Sequence, residues 1–251
     1  MLAPAVGAES INAIELTEIV SEPSSGRVFE QRIMPGVTDV TSGGRARLDA
    51  IARWLQDIAY LDSVDSGYEG RGAWIVRRTR IRASSFPRFG EQLVLRTYCS
   101  GIGRFSAMRS TTIRGESASV DAIALWVFLE IEGRRPMRLP DDFVAAYSQA
   151  AGGRDANVRL RHPEPPADAV RTEWSFRATE MDMADHVNNA HYWTPLEEEL
   201  AGGADPESID AEVEYREPAG AGAVSLLRSD GALWVAAAGG GGLHASILRP
   251  G

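Results

Sequence analysis

Lysine is absent from the chain, and cysteine occurs once in 251 residues, at Cys99. A lone thiol excludes an internal disulfide and any zinc site built from several cysteines. It is also badly placed as a nucleophile, because it lies in the strand-like run LVLRTYC with no histidine nearby in sequence; buried packing is expected of it. No segment approaches the ~20 uninterrupted apolar residues of a membrane-spanning helix. The opening residues, MLAPAVGAESINAIEL, show no basic start followed by an apolar block, so no secretory signal is read and a cytoplasmic protein is expected. Arginine supplies all 26 cations against 35 acidic residues. The resulting net charge of -9 argues against general nucleic-acid binding, while local arginine clusters remain free to meet an acidic partner.

With 44% hydrophobic and 24% charged residues, the composition is that of a globular chain, long enough for one large or two modest domains. Residues 1–26, small and polar and ending in the breaker run SEPSSG, read as a loosely attached arm. From Arg27 the segment RVFEQRIMPG alternates as a strand. After a polar link, RARLDAIARWLQDIAYLDSV places Leu48, Ile51, Ala52, Leu55, Ile58 and Ala59 on one stripe, which predicts an amphipathic helix. Strand-like runs follow at 73–83, 91–101, 104–114 and 119–131, separated by turn-forming residues. Residues 151–167, rich in Gly, Pro and charge, read as a linker. Beyond it the plan repeats, with a strand at 170–179, a helix from about 187, and strands at 209–217, 223–229, 232–238 and 243–248; Gly239 to Gly242 read as a hairpin turn. Helix followed by antiparallel strands, twice over, is an α+β pattern, with domains at 27–150 and 168–251.

The chain enters the second helix through the stretch DMADHVNNAHYW, residues 182–193. A carboxylate, Asp182, and an imidazole, His186, thus sit on the link between a strand end and a helix start, where free backbone N–H groups favour a developing negative charge. Two readings stay open from the residues alone. An Asp and a His at a turn are commonly a helix cap and a local hydrogen bond, and Asn188 or Asn189 equally suits capping. The other reading is hydrolysis of an acyl group. Asp182 would attack directly or deprotonate water, backbone N–H groups from Val187 to Ala190 would polarise the carbonyl, and His186 would orient the carboxylate or donate to the leaving group. This requires Asp182 to face an apolar tunnel. His191 reads as structural, Glu197, Glu198 and Glu199 as a solvated helix face, and Pro195 as a bend in that helix.

Asp182, His186, Val187, Asn188 and Asn189 match the Asp-x-Asn-x-His-Val-Asn-Asn segment of acyl-ACP thioesterases, and the chain resembles that family of plants and bacteria. Ala184 stands where the family has an Asn. The runs Leu55-Gln56-Asp57-Ile58-Ala59, Trp74-Ile75-Val76-Arg77-Arg78, Phe86-Pro87, Ala124-Leu125-Trp126-Val127 and Arg138-Leu139-Pro140 extend the likeness through the first half in the family's order. Near the C-terminal half's first strand after the helix, Val213 to Gly220 resembles the family strand that carries Glu-Cys-Gly, with Pro218 and Ala219 at the Glu and Cys. A thiol mechanism is therefore closed, and Glu217, one position earlier, is the substitute candidate.

The resemblance implies a tandem double hot-dog, each domain a long helix wrapped by a curved antiparallel sheet, fused so that one chain supplies both halves of a site. It implies hydrolysis of fatty acyl-ACP or acyl-CoA to free fatty acid, as in fatty acid biosynthesis. Its catalytic set would be Asp182, His186, Asn188, Asn189 and Glu217, with an acyl pocket in the N-terminal domain and no metal or other cofactor. Arg77, Arg78, Arg80, Arg82 and Arg135, with Arg88, Arg134 and Arg138, are candidates for docking the acidic carrier or the phosphates of a pantetheine arm. The chain would act as a monomeric pseudo-dimer or a homodimer. Two rivals are a hot-dog hydratase or dehydratase, and a non-catalytic acyl-thioester-binding or regulatory protein.

Overall fold

A computed structural model describes residues 15–249 and arranges them as ten antiparallel strands in one sheet, with its main helices on one face. The helix predicted from the apolar stripe is α1 (Leu48–Asp65), and Leu48, Ile51, Ile58 and their neighbours are buried by it. Each such side chain contributes roughly 2 kcal/mol on leaving water. It lies against β2 (Ala73–Ser85), β3 (Leu93–Ile102), β4 (Ser106–Arg114) and β5 (Ser119–Leu129). Their alternating side chains Ile81, Ala83, Leu93, Leu95, Ile113, Val120 and Ala122 complete that core. β1 (Phe29–Ile33) closes the edge against β3. A further helix, α2 (Asp141–Ala151), seats Phe143, Tyr147 and Ala151 against Cys99, Ala107 and Phe128.

The second half repeats the first. β6 (Val170–Phe176) leads to a short 3-10 helix, Asn189–Trp193, continued by α3 (Thr194–Ala201), then β7 (Ile209–Tyr215), β8 (Gly222–Ser229), β9 (Ala232–Ala237) and β10 (Leu243–Leu248). The sheet order β1-β3-β4-β5-β2-β7-β10-β9-β8-β6 is the same five-strand order read outward from the β2–β7 junction in both directions. Equivalent strands therefore pair antiparallel, Ile81 opposite Ala211, about a pseudo-twofold axis. The second helix differs from its expected form. It begins as 3-10 and its α-helical part has only eight residues, with Pro195 in the first turn, where its missing N–H costs nothing, instead of bending the helix. Glu197 does not join a solvated face: it is buried, pairs with Arg45, and accepts the Leu48 N–H at 2.9 Å, so that α3 caps α1.

On the other face of the sheet, the linker and the arm cross the junction. Of the arm expected over 1–26, residues 1–14 lie outside the described residues. The part that follows is tied down and not loose: Thr17 N–H donates to Glu212, Arg80 to Thr17 C=O, and Tyr98 O–H to Val20 C=O. The linker residue His162 is buried, bonded to Ser246 Oγ at 2.9 Å and to Glu212 at 3.1 Å. Arg78, also buried, donates to Glu214 at 2.8 Å. Among the described residues, no helix is long and apolar enough to cross a membrane.

Candidate active site

β6 delivers the chain into a tight loop before Asn189. Met181 and Val187 bridge its base, Asp182 N–H donates to His186 C=O at 2.8 Å, and Asp185 N–H donates to Asp182 C=O at 3.1 Å. Closing so small a loop places Asp185 at φ 58°, a left-handed conformation that aspartate accepts more readily than most residues. Asp182 Oδ1 turns inward to accept from Ala184 N–H (2.8 Å) and His186 N–H (3.4 Å). Its Oδ2 takes no protein donor among the described residues. The half-buried His186 rides on the same loop and gives its backbone N–H to Asp182 Oδ1, while among the described residues no hydrogen bond or ion pair joins the two side chains.

The backbone donors expected to polarise a carbonyl are mostly engaged. Val187 N–H donates to Ala219 C=O, Asn188 N–H to Glu180 C=O, and Ala190 N–H to the Asn188 side chain, each at 2.9 Å. This is a correction with a simple cause: the helix starts with its own side-chain cap and a bridge to the segment after β7, which use up its free N–H groups. Asn188 is that cap. Asn189 C=O accepts from Tyr215 O–H at 3.2 Å. His191 faces Glu180 at 3.9 Å, as a structural residue would.

A tyrosine to which the sequence reading gave no role braces the loop. Tyr192 O–H accepts from Ala219 N–H at 3.0 Å, its ring between Phe176 and Tyr215. Burial pushes its hydroxyl up to about 12, the Ala219 N–H opposing and the Asp182 charge adding to the rise. It stays protonated at working pH. The signal for it was the Asn-Asn-x-x-Tyr spacing, which puts the ring on the buried side next to Ala219.

A cavity of about 490 Å³ lies between the C-terminal half of α1 and the sheet. Its outer end is bordered by Gln56, Asp57, Tyr60 and Met183, its walls by Trp74 and Trp126, and its inner end by the buried Cys99, Ala107 and Phe143. All but Met183 belong to the N-terminal half. The lining residue from the loop is thus Met183; Asp182, its neighbour in the chain, is outside the lining, which corrects the expectation that it faces into the tunnel. One wall carries charge. Arg109 reaches Asp62 on α1 at 2.5 Å, and Asp62 also accepts from Arg27 and Tyr147. At the outer end, crowding by the surrounding walls holds the Asp57 carboxyl above the usual carboxylate range, with Arg53 opposing. Cys99 is inert in this setting, since burial pushes its thiol up to about 11.

Other expected residues fall elsewhere. Glu217 turns to the β9–β10 hairpin, its carboxylate lying over Gly242, and makes no hydrogen bond to the Asp182 loop among the described residues. Glu217 lies past the end of β7, in the bend that leads away from it. Of the docking arginines, Arg78 is buried against Glu212 and Glu214, Arg80 is held at both ends by Asp210, and half-buried Arg77 donates to Arg216 C=O. These three are structural. Arg82 lies 3.4 Å from Asp121, and Arg135 is exposed. Ser246, His162 and Glu212 have the connectivity of a catalytic triad, yet all three are buried beneath the linker, where no substrate reaches them. Among the described residues, no cluster of three or more His, Cys, Asp or Glu is arranged to hold a metal.

Comparison with known proteins gives this geometry a family. The family described as Acyl-ACP thioesterase N-terminal domain matches residues 26–147, and its companion, Acyl-ACP thioesterase C-terminal domain, matches residues 164–225. An uncharacterised protein of Mycobacterium tuberculosis is 26% identical over 72% of this chain and 74% of its own length. An Arabidopsis thaliana oleoyl-acyl carrier protein thioesterase is 23% identical over 66% of this chain, which spans about half of the plant protein (53%). The fold is that of the 12:0-ACP thioesterase from Umbellularia californica, with a TM-score of 0.70 at 16% identity, covering 90% of this chain and 97% of that one. An acyl-ACP thioesterase from Bacteroides thetaiotaomicron gives 0.68 at 16%, covering 88% and 96%. A double hot-dog whose two halves match both domains of one family in order is a thioester hydrolase, and the chain belongs to the acyl-ACP thioesterase family.

Proposed function

We propose that the protein hydrolyses fatty acyl thioesters, carried on acyl carrier protein in preference to CoA, and releases free fatty acid. The observation that supports this most is the shared boundary of cavity and loop: Met183, next to Asp182, and Gln56, bonded to Asn188, border one end of an apolar-walled cavity supplied by the N-terminal half. An acyl chain in that cavity leaves its thioester beside the loop. Asp182 Oδ2 takes a proton from the attacking water, or attacks the carbonyl carbon itself to give a mixed anhydride that water then cleaves to free acid, with Oδ1 anchored by two backbone N–H groups so that the carboxylate does not swing away. His186 supplies a proton to the leaving thiolate. Glu217 has no part in this scheme.

The test is release of free thiol from acyl-ACP and acyl-CoA. Asp182→Asn is expected to lower turnover by at least about 100-fold with an unchanged circular dichroism spectrum. Binding of acyl thioester without turnover by the wild-type protein would instead establish the non-catalytic rival. For carrier docking, the exposed residues Arg134, Arg135 and Arg138 on the turn before α2 remain the candidates. Replacing Arg134 and Arg135 with Glu is expected to raise KM for acyl-ACP severalfold and to leave KM for a small acyl thioester unaltered; equal changes for both would remove the docking role.

A further inference from the structure

α1 belongs to the N-terminal half, yet one of its side chains reaches the loop of the C-terminal half. Gln56 Nε2 donates to Asn188 Oδ1 at 3.1 Å, and the same oxygen accepts the Ala190 N–H at 2.9 Å. An amide plane has an oxygen on one side and a nitrogen on the other. With the oxygen held by two donors, the nitrogen is turned away from both. Asn188 Nδ2 donates to no protein atom among the described residues and is not a buried orphan. It is therefore an open donor, at a place where the N–H groups of Val187, Asn188 and Ala190 are already spent. Gln56 meanwhile borders the outer end of the cavity.

We propose that Gln56 is a positioning residue for thioester hydrolysis: from the N-terminal half it fixes the Asn188 amide so that its N–H2 group faces the thioester carbonyl of a chain lying in the cavity that Gln56 itself borders. This rests on the hydrolase reading above. The bond also explains why this helix position holds Gln and not Glu. A carboxylate offers only acceptors, and opposite Asn188 Oδ1 it forces the amide either to flip, giving up the Ala190 cap, or to keep two oxygens in contact. Protonation restores a donor at the same place. A residue that serves only packing has no such dependence on donor polarity.

The experiment compares Gln56→Met, which keeps the shape without the donor, and Gln56→Glu with wild type, using acyl-CoA and acyl-ACP, after melting temperatures show folded proteins. For Gln56→Met, kcat is expected to fall by roughly 10- to 100-fold, as for a misaligned reacting group, with KM changed by no more than about twofold. For Gln56→Glu, the loss at pH 8 is larger, and the ratio of its kcat to that of wild type rises as the pH is lowered to 5, when the introduced carboxylate takes up a proton. Should one variant fail to fold, the other alone decides: an unaltered kcat in the Met variant, or a ratio flat with pH in the Glu variant, overturns the inference while the hydrolase reading stands. A wild-type protein that binds a non-hydrolysable acyl-CoA thioether but cleaves no acyl thioester overturns both.

Discussion

Asp182 shows how a single side chain divides its work, one oxygen anchored by its own loop and the other left open. That Asp182 and His186 share one loop was legible because four residues cannot carry the chain far. The direction of the carboxylate was not, since it depends on a turn closed by Asp185 in a left-handed conformation. Three tyrosines make a further residue-scale claim. Burial raises Tyr98 and Tyr192 to about 12, and raises Tyr215 as well. A raised folded-state pKa means that the native protein holds these protons more tightly than the unfolded chain. Their contribution is fully present below the unfolded value, ~10, and is lost as pH rises through the folded values. Cys99, whose thiol burial also raises, starts the same loss at lower pH, so stability to urea is expected to ease above about pH 8.5 and to fall more steeply between about pH 10 and 12, with the tyrosinate absorbance of these three residues appearing together with unfolding. Tyrosinate from the buried three appearing well before unfolding would contradict this.

At the scale of elements, the two main helices were unequally readable. α1 announced itself by an unbroken apolar stripe, whereas the second helix was read as one continuous run from 187 and proved to be a 3-10 turn followed by α3. What the stripe could not show is its start. Arg47 offers no side-chain cap, and Glu197, 149 residues away in sequence, takes the Leu48 N–H instead. Glu197→Ala is expected to cost about 3 kcal/mol, because it uncaps α1 and leaves buried Arg45 with Asp205 as its remaining carboxylate; urea unfolding measures this. A loss below about 1 kcal/mol would mean that the cap is dispensable. α2 was missed although it carried its signals, Asp141 and Asp142 in its first turn, Phe143, Tyr147 and Ala150 on one face, and Gly152 at φ 59° past its end.

For the whole molecule, the repeat of helix and strands predicted the fused pair of domains, because each copy carries its own periodicity. The junction between the copies was beyond such reading. Arg77, Arg78 and Arg80 look like a basic surface patch in sequence, and only the β2–β7 pairing, which sets Arg78 beside Glu212 and Glu214 and Arg80 beside Asp210, turns them into internal partners. The same pairing divides labour. The cavity is almost wholly the work of one copy, and the loop that borders it comes from the other.

Covalent continuity through the linker, clamped by His162 and Arg216 over the back of the junction, keeps the cavity and the loop in one molecule. Rings and pairs assembled from separate subunits fall silent when they are diluted below the strength of their contacts. Here each polypeptide brings its own complement, so turnover per molecule is expected to hold constant from micromolar to picomolar protein. A decline on dilution would reveal a second copy completing the site.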